Sequence, residues 1–159
     1  MSPDAAVDKG HLDPTDAAFV DIVLALLRRG HSVRFRAKGS SMHPTIREGE
    51  AITVAPARLA GIRRGDVILY RSARGVIAHR VAGVERGPDG APVFVPRGDA
   101  SATCDEPVGE SAVLGRVTAV ERDGRTMNPA STRARALAAV RAIAARLLRW
   151  LRARRSRPT

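Results

Sequence analysis

The chain has 159 residues but only one cysteine, Cys104, so no internal disulfide can form. That count fits a reducing compartment without excluding an oxidising one. Aromatic residues make up 3% of the chain, which leaves Val, Ile, Leu and Ala to build any core. Lysine is almost absent: Lys9 and Lys38 are the two in the chain. No stretch reaches the roughly 18 apolar residues that a membrane-crossing helix requires. The first residues hold Asp4, Asp8, Asp13 and Asp16 in place of a basic segment followed by an apolar one. The expectation is therefore a protein without signal peptide or transmembrane helix, cytoplasmic or held peripherally at a membrane. The four histidines and Cys104 show no metal-ligand spacing, and no glycine pattern cradles phosphate, so neither a metal nor another cofactor is expected. Cys104 beside Asp105 has no second feature to mark it as a nucleophile.

Basic charge is plentiful and uneven. Of the formal net charge of +11, nine arginines lie between Ser131 and Thr159 with no acid among them, leaving +2 for the preceding 130 residues. A charge argument for an anionic partner thus applies to the tail alone.

Three regions follow from composition and period. Residues 1–14, with Pro3, Gly10 and Pro14 among acids, read as a disordered lead-in. Residues 15–128 read as one domain. It opens with a helix from Ala17 to Arg29 whose apolar residues are Phe19, Val20, Val23, Leu24, Leu26 and Leu27, with Gly30 as its cap. From Ser32 the period changes to two, and short apolar runs recur around Val33, Ala51, Val67, Val76, Val93 and Ala112. Turn signals separate them at Arg64-Gly65-Asp66, Ala73-Arg74-Gly75 and Pro88-Asp89-Gly90, and Asp123-Gly124 is placed to close a last hairpin. The pattern predicts a mainly β domain, a folded sheet or barrel.

Residues 129–159 return to a helical period. Leu137, Val140, Ile143, Ala144, Leu147, Leu148 and Leu151 form an apolar stripe, and Arg141, Arg146, Arg149 and Trp150 flank it. A basic amphipathic helix with a tryptophan suits an anionic membrane surface. The same stripe also suits packing on the β domain or on a partner. Nucleic acid is the least favoured, because aromatics are not interleaved with the basic groups.

Three short segments carry chemistry: Ser40-Ser41-Met42-His43-Pro44-Thr45, Ala78-His79-Arg80-Val81 and Arg97-Gly98-Asp99-Ala100. A serine hydroxyl needs a base within hydrogen-bond reach, and neutral histidine suits that role. A carboxylate on the other ring nitrogen fixes the tautomer. Ser41, His79 and either Asp99 or Asp105 form such a set. His43 stands too near Ser41 in sequence to serve easily as its base.

In this order and spacing, from about Val33 to Val120, the segments resemble the signal peptidase I family of serine proteases. The resemblance implies that Ser41, before Met42 and Pro44, is the nucleophile. The lysine base of bacterial members and of LexA-like repressors has no counterpart downstream of Ser41. His79, 38 residues on and followed by Arg80-Val81, matches the histidine-type members of archaea and the endoplasmic reticulum. Gly98-Asp99 matches a Gly-Asp segment of the family, and Asp105 falls where those members carry a second acid. Asp99 is the expected partner of His79 on that motif.

The serine that the family often carries two residues before the nucleophile is replaced by Gly39, so the oxyanion hole is expected from backbone at Ser41, with Ser40 beside it. Met42 is expected in the substrate pocket or the core. The implied substrate is a peptide or precursor protein bound as an extended strand and processed as a signal peptide is. An integral-membrane partner would supply the anchor most family members carry themselves. Two other readings remain: a catalytically degenerate peptide-binding module tethered by its tail, and, more weakly, a LexA-like regulator.

Overall fold

The computed structural model describes residues 17–73 and 75–131, together with Val140, Ile143 and Ala144 of the tail. The lead-in and the tail residues Arg141, Arg146, Arg149 and Trp150 lie outside the described residues. Helix α1 spans Ala17–Arg28 and buries Phe19, Val20, Val23 and Leu27, the i, i+1, i+4, i+8 face of a helix lying on a core. Each such side chain contributes roughly 1.5–3 kcal/mol when removed from water. The helix ends where Gly30 takes φ 84°, with Gly30 N–H on Leu27 O and His31 N–H on Leu26 O. This is a Schellman cap, and a residue without Cβ adopts its left-handed conformation without strain.

Eight strands follow: β1 (Val33–Arg36), β2 (Ala51–Ala55), β3 (Val67–Ser72), β4 (Gly75–Arg86), β5 (Pro92–Arg97), β6 (Val108–Gly109), β7 (Val113–Arg122) and β8 (Arg125–Met127). They form one antiparallel sheet in the order β1-β2-β7-β3-β4-β5-β6, with β8 paired to β7. The protein is therefore mainly β, as expected, but the sheet stays open and does not close into a barrel. Asp123 and Gly124, with φ 49° and 71°, turn β7 into β8. Two successive positive φ values match the twist of a tight hairpin.

Strand β3 explains why Val67-Ile68-Leu69-Tyr70 is continuously apolar. Val67 and Leu69 belong to a core shared with α1, Met42, Ile52, Val54 and Val117; Ile68 and Tyr70 belong to a second core with Ile62, Val81 and Phe94. A strand covered on both faces loses the alternation of a half-exposed one.

Strand β4 positions the site. Its first half, Gly75–Arg80, pairs with β3, and its second half, Arg80–Arg86, pairs with β5, with a register shift between Val81 and Gly83. His79 and Arg80 stand where the strand passes from one neighbour to the other.

Candidate active site

Ser41 lies in the irregular segment between β1 and β2. The segment turns on His43 N–H bonded to Ser40 O and Ile46 N–H bonded to Met42 O, and the His43–Pro44 peptide is cis. Arg122 of β7 grips it from one side, donating to Pro44 O at 3.0 Å, Thr45 O at 3.3 Å and the Glu50 carboxylate at 2.8 Å. From the other side, Ala100 N–H donates to Ser41 O at 2.8 Å. Met42 is buried, and its backbone neighbour Ser41 is exposed, so the loop turns an apolar anchor inward and a hydroxyl outward.

His79 is buried on β4. Its Nε2 lies 2.8 Å from Ser41 Oγ, and its Nδ1 bonds Asp105 Oδ2. An ionised carboxylate only accepts, so Nδ1 carries the proton and Nε2 is left to accept from the serine hydroxyl. The structure thus brings Ser41, His79 and Asp105 into one chain of hydrogen bonds.

Asp99 is not in that chain, and the expectation that the Gly-Asp aspartate pairs with His79 is corrected. Its carboxylate is buried and takes a bidentate ion pair from Arg80, Nε to Oδ1 and Nη2 to Oδ2, both at 2.7 Å. Thr45 Oγ1 donates to the same Oδ2. Arg80 Nη1 also donates to Gly65 O at 2.7 Å and to Pro129 O at 2.9 Å. The physical reason is the alternation of a strand: His79 and Arg80 face opposite ways, and the guanidinium claims the nearer acid. The Asp99–Arg80 pair ties the serine loop, through Thr45, to the turn before β3 and the chain after β8, which Arg80 holds.

Gly98 lies against Ser41 and His79. A Cβ there would come 2.6 Å from Ser101 Oγ, 2.7 Å from Ser41 O and 3.2 Å from His79 Nε2. The Gly-Asp segment therefore serves twice, its glycine by allowing close approach and its aspartate by fastening Arg80.

Beside Ser41 opens a cleft of about 300 Å³, lined by Phe35, Ala37, Lys38, Gly39, Met42, Ile46, Ile52, Leu69, Val76, Ile77 and Ala78 along with Ser41 and His79. Residues from the β1 edge and from the first half of β4 face each other across it. Met42 serves both core and cleft, as expected. Ser40 does not line the cleft, whereas Gly39 and Ser41 do; its carbonyl is taken by His43 N–H. The backbone flanking Ser40, and not its hydroxyl, is what faces the site.

Tyr70 was not marked by any motif. It is the chain's one tyrosine. It is 2% exposed on β3 and donates from its hydroxyl to Asp105 Oδ2 at 2.7 Å. Burial, then the hydrogen bond and charge of Asp105, push its phenol well above the usual range. The signal was the hairpin: Ser72 pairs with Gly75, which sets Ile68 opposite His79 and Tyr70 diagonal to it on the same face. Cys104, exposed on the same loop as Asp105, takes no part in the hydrogen-bonded chain. Among the described residues there is no cluster able to hold a metal ion, and no helix is long and apolar enough to cross a membrane. No protein-family model matches the chain, and no curated protein matches it, so the functional reading stands on the geometry and the motifs.

Proposed function

We propose that the chain is a serine endopeptidase of the signal peptidase type, with Ser41 as nucleophile, His79 as general base and Asp105 as its orienting acid. The observation that carries this is the continuous Ser41–His79–Asp105 hydrogen-bond chain beside an open apolar cleft. Ser41 Oγ attacks the carbonyl carbon of the scissile peptide as its proton passes to His79 Nε2. Asp105 stabilises the imidazolium. The tetrahedral oxyanion is met by backbone N–H groups near Ser41. Its collapse breaks the C–N bond, His79 returns the proton to the leaving amine, and an acyl ester remains on Ser41. Water then attacks the ester as His79 takes its proton; collapse of the second tetrahedral intermediate breaks the C–Oγ bond, His79 returns the proton to Ser41 Oγ, and the carboxyl product leaves. The substrate lies as an extended strand between the β1 edge and Val76–Ala78 of β4, presenting apolar side chains to the cleft. The test is labelling by a fluorophosphonate together with peptide hydrolysis. The wild type should do both and Ser41→Ala neither; wild-type protein that stays unlabelled and inactive leaves the peptide-binding module as the reading.

The tail is proposed to hold the enzyme at an anionic membrane surface. Val140 and Ile143, the described members of its apolar stripe other than Ala144, are 62% and 67% exposed, so they are not spent on the β domain. Nine arginines without an acid complement anionic headgroups, each basic residue near such a surface contributing about 1 kcal/mol.

A further inference from the structure

The orienting acid is less enclosed than the base it serves. Asp105 sits on the irregular loop between β5 and β6, and its side chain is 33% exposed, against 8% for His79. One backbone bond, Asp105 N–H to Pro96 O at 2.8 Å, fixes the main chain there but leaves the carboxylate free to rotate toward water. Tyr70 is the opposite case. It sits on the central strand, inside the second core with Ile68, Val81 and Phe94, with its ring 6.3 Å from that of His79. Its hydroxyl reaches the very oxygen that accepts from His79 Nδ1.

We propose that Tyr70 is the positioning residue of this site: its hydroxyl pins Asp105 Oδ2 against His79, so that a rigid strand, and not the loop, sets the acid's direction. This rests on the reading of Ser41 and His79 as the catalytic pair. A carboxylate with two donors on one oxygen has a single favoured orientation, and a site holds its geometry only if its supporting side chains are themselves locked. The ionisable groups facing His79 are Asp105 and Tyr70, with Ser41 on Nε2; Arg80 and Asp99 neutralise each other on the opposite face.

The test is Tyr70→Phe in the full chain, which removes the hydroxyl and keeps the ring. Peptide hydrolysis should lose about tenfold in kcat with KM within twofold, because geometry at the base is loosened while the cleft is untouched. Unchanged kcat overturns the proposal, as does a loss confined to KM. An arm without turnover uses the His79 Nδ1–H proton resonance: it should exchange with solvent faster in Tyr70→Phe than in the wild type, and equal exchange overturns the proposal. A second variant, Asp105→Asn, reads the same contact through absorbance of the single tyrosine, whose ionisation should move to lower pH; an unmoved titration overturns it. If the wild type neither hydrolyses peptide nor takes a fluorophosphonate, the peptidase reading has failed, and the proton-exchange and tyrosine arms still decide whether Tyr70 holds Asp105.

Discussion

His79 and Arg80 are consecutive on β4, point to opposite faces, and each captures an aspartate of the segment after β5: His79 takes Asp105, Arg80 takes Asp99. Two carboxylates six residues apart therefore have separate partners, one on the imidazole beside Ser41 and one in the buried ion pair that holds the surrounding loops.

Replacing either acid by its amide should separate the roles of the two. Asp105→Asn is expected to lower kcat by about 10³–10⁴-fold with little change in stability, since the wrong imidazole tautomer is then favoured. Asp99→Asn leaves Arg80 buried beside a neutral partner, and breaking such a pair costs about 3–5 kcal/mol. Urea unfolding and steady-state kinetics on both variants check this; equal kinetic losses at both positions would contradict it.

His79→Ala should abolish turnover while the fold survives. Activity of the wild type should fall on the acid side as the imidazole takes up a proton, because Nε2 can then no longer accept from Ser41. Thermal unfolding of the variant separates loss of the base from loss of the fold.

Gly98→Ala is predicted to be far more damaging than its size suggests. The added methyl meets backbone at Ser41 and the ring of His79, and neither is the loose end of a flexible side chain. Overpacking of this kind costs about 1–3 kcal/mol, and here it also displaces the reacting pair. A fluorophosphonate labelling rate reduced by at least about tenfold is expected.

Glu50 should give the fold a particular acid sensitivity. Burial raises its carboxyl, but hydrogen bonds from Arg122 and from Arg47 N–H, with the charges of both arginines, outweigh that and leave it below the usual range. A carboxyl lowered in the folded state contributes stability above its unfolded value and loses it as pH falls through the lowered one. Thermal unfolding across pH 3 to 6, on the order of the carboxylate range, should show this decline, and Glu50→Gln should flatten it. Because Arg122 also holds Pro44 and Thr45, the Ser41 labelling rate of Arg122→Met should drop as well.

Removal of the tail after Ser131 should abolish co-sedimentation with anionic vesicles while leaving peptide hydrolysis in solution intact. The cut must fall beyond Pro129, whose carbonyl Arg80 holds. Added salt should weaken binding by the full chain, because charges are screened over roughly 8–10 Å at physiological ionic strength. Equal partitioning of the two chains, or no preference for anionic lipid, overturns the membrane proposal.

Most of the architecture was legible in the period of the apolar residues. The turn signals fell between the observed strands, and Asp123-Gly124 does close a hairpin. The openness of the sheet was not legible, because closure depends on strand tilt and stagger, which short apolar runs do not encode. The extension of β4 to Arg86 was hidden because its second half breaks the apolar run with Gly83 and ends in the exposed residues Val84, Glu85 and Arg86. At the site, Ser41 and His79 stood out by their flanks. The choice between Asp99 and Asp105 did not, since it depends on which face of β4 each acid meets and on a competing arginine. Tyr70 was passed over for a related reason: its apolar ring satisfies the core pattern, and only the hairpin register, not hydropathy, sets its hydroxyl beside His79.

The bond from Arg80 to the Pro129 carbonyl makes the chain after β8 a mooring point one residue along β4 from His79. Eleven residue steps separate Pro129 from Val140. Fully extended, they span at most about 40 Å. Whatever grips the tail from Val140 onward therefore sets a radius, and the cleft operates inside it. A substrate held at the same surface is confined to that volume with the enzyme, so its encounter with Ser41 becomes a matter of tether length and local concentration, and less of affinity for the cleft itself.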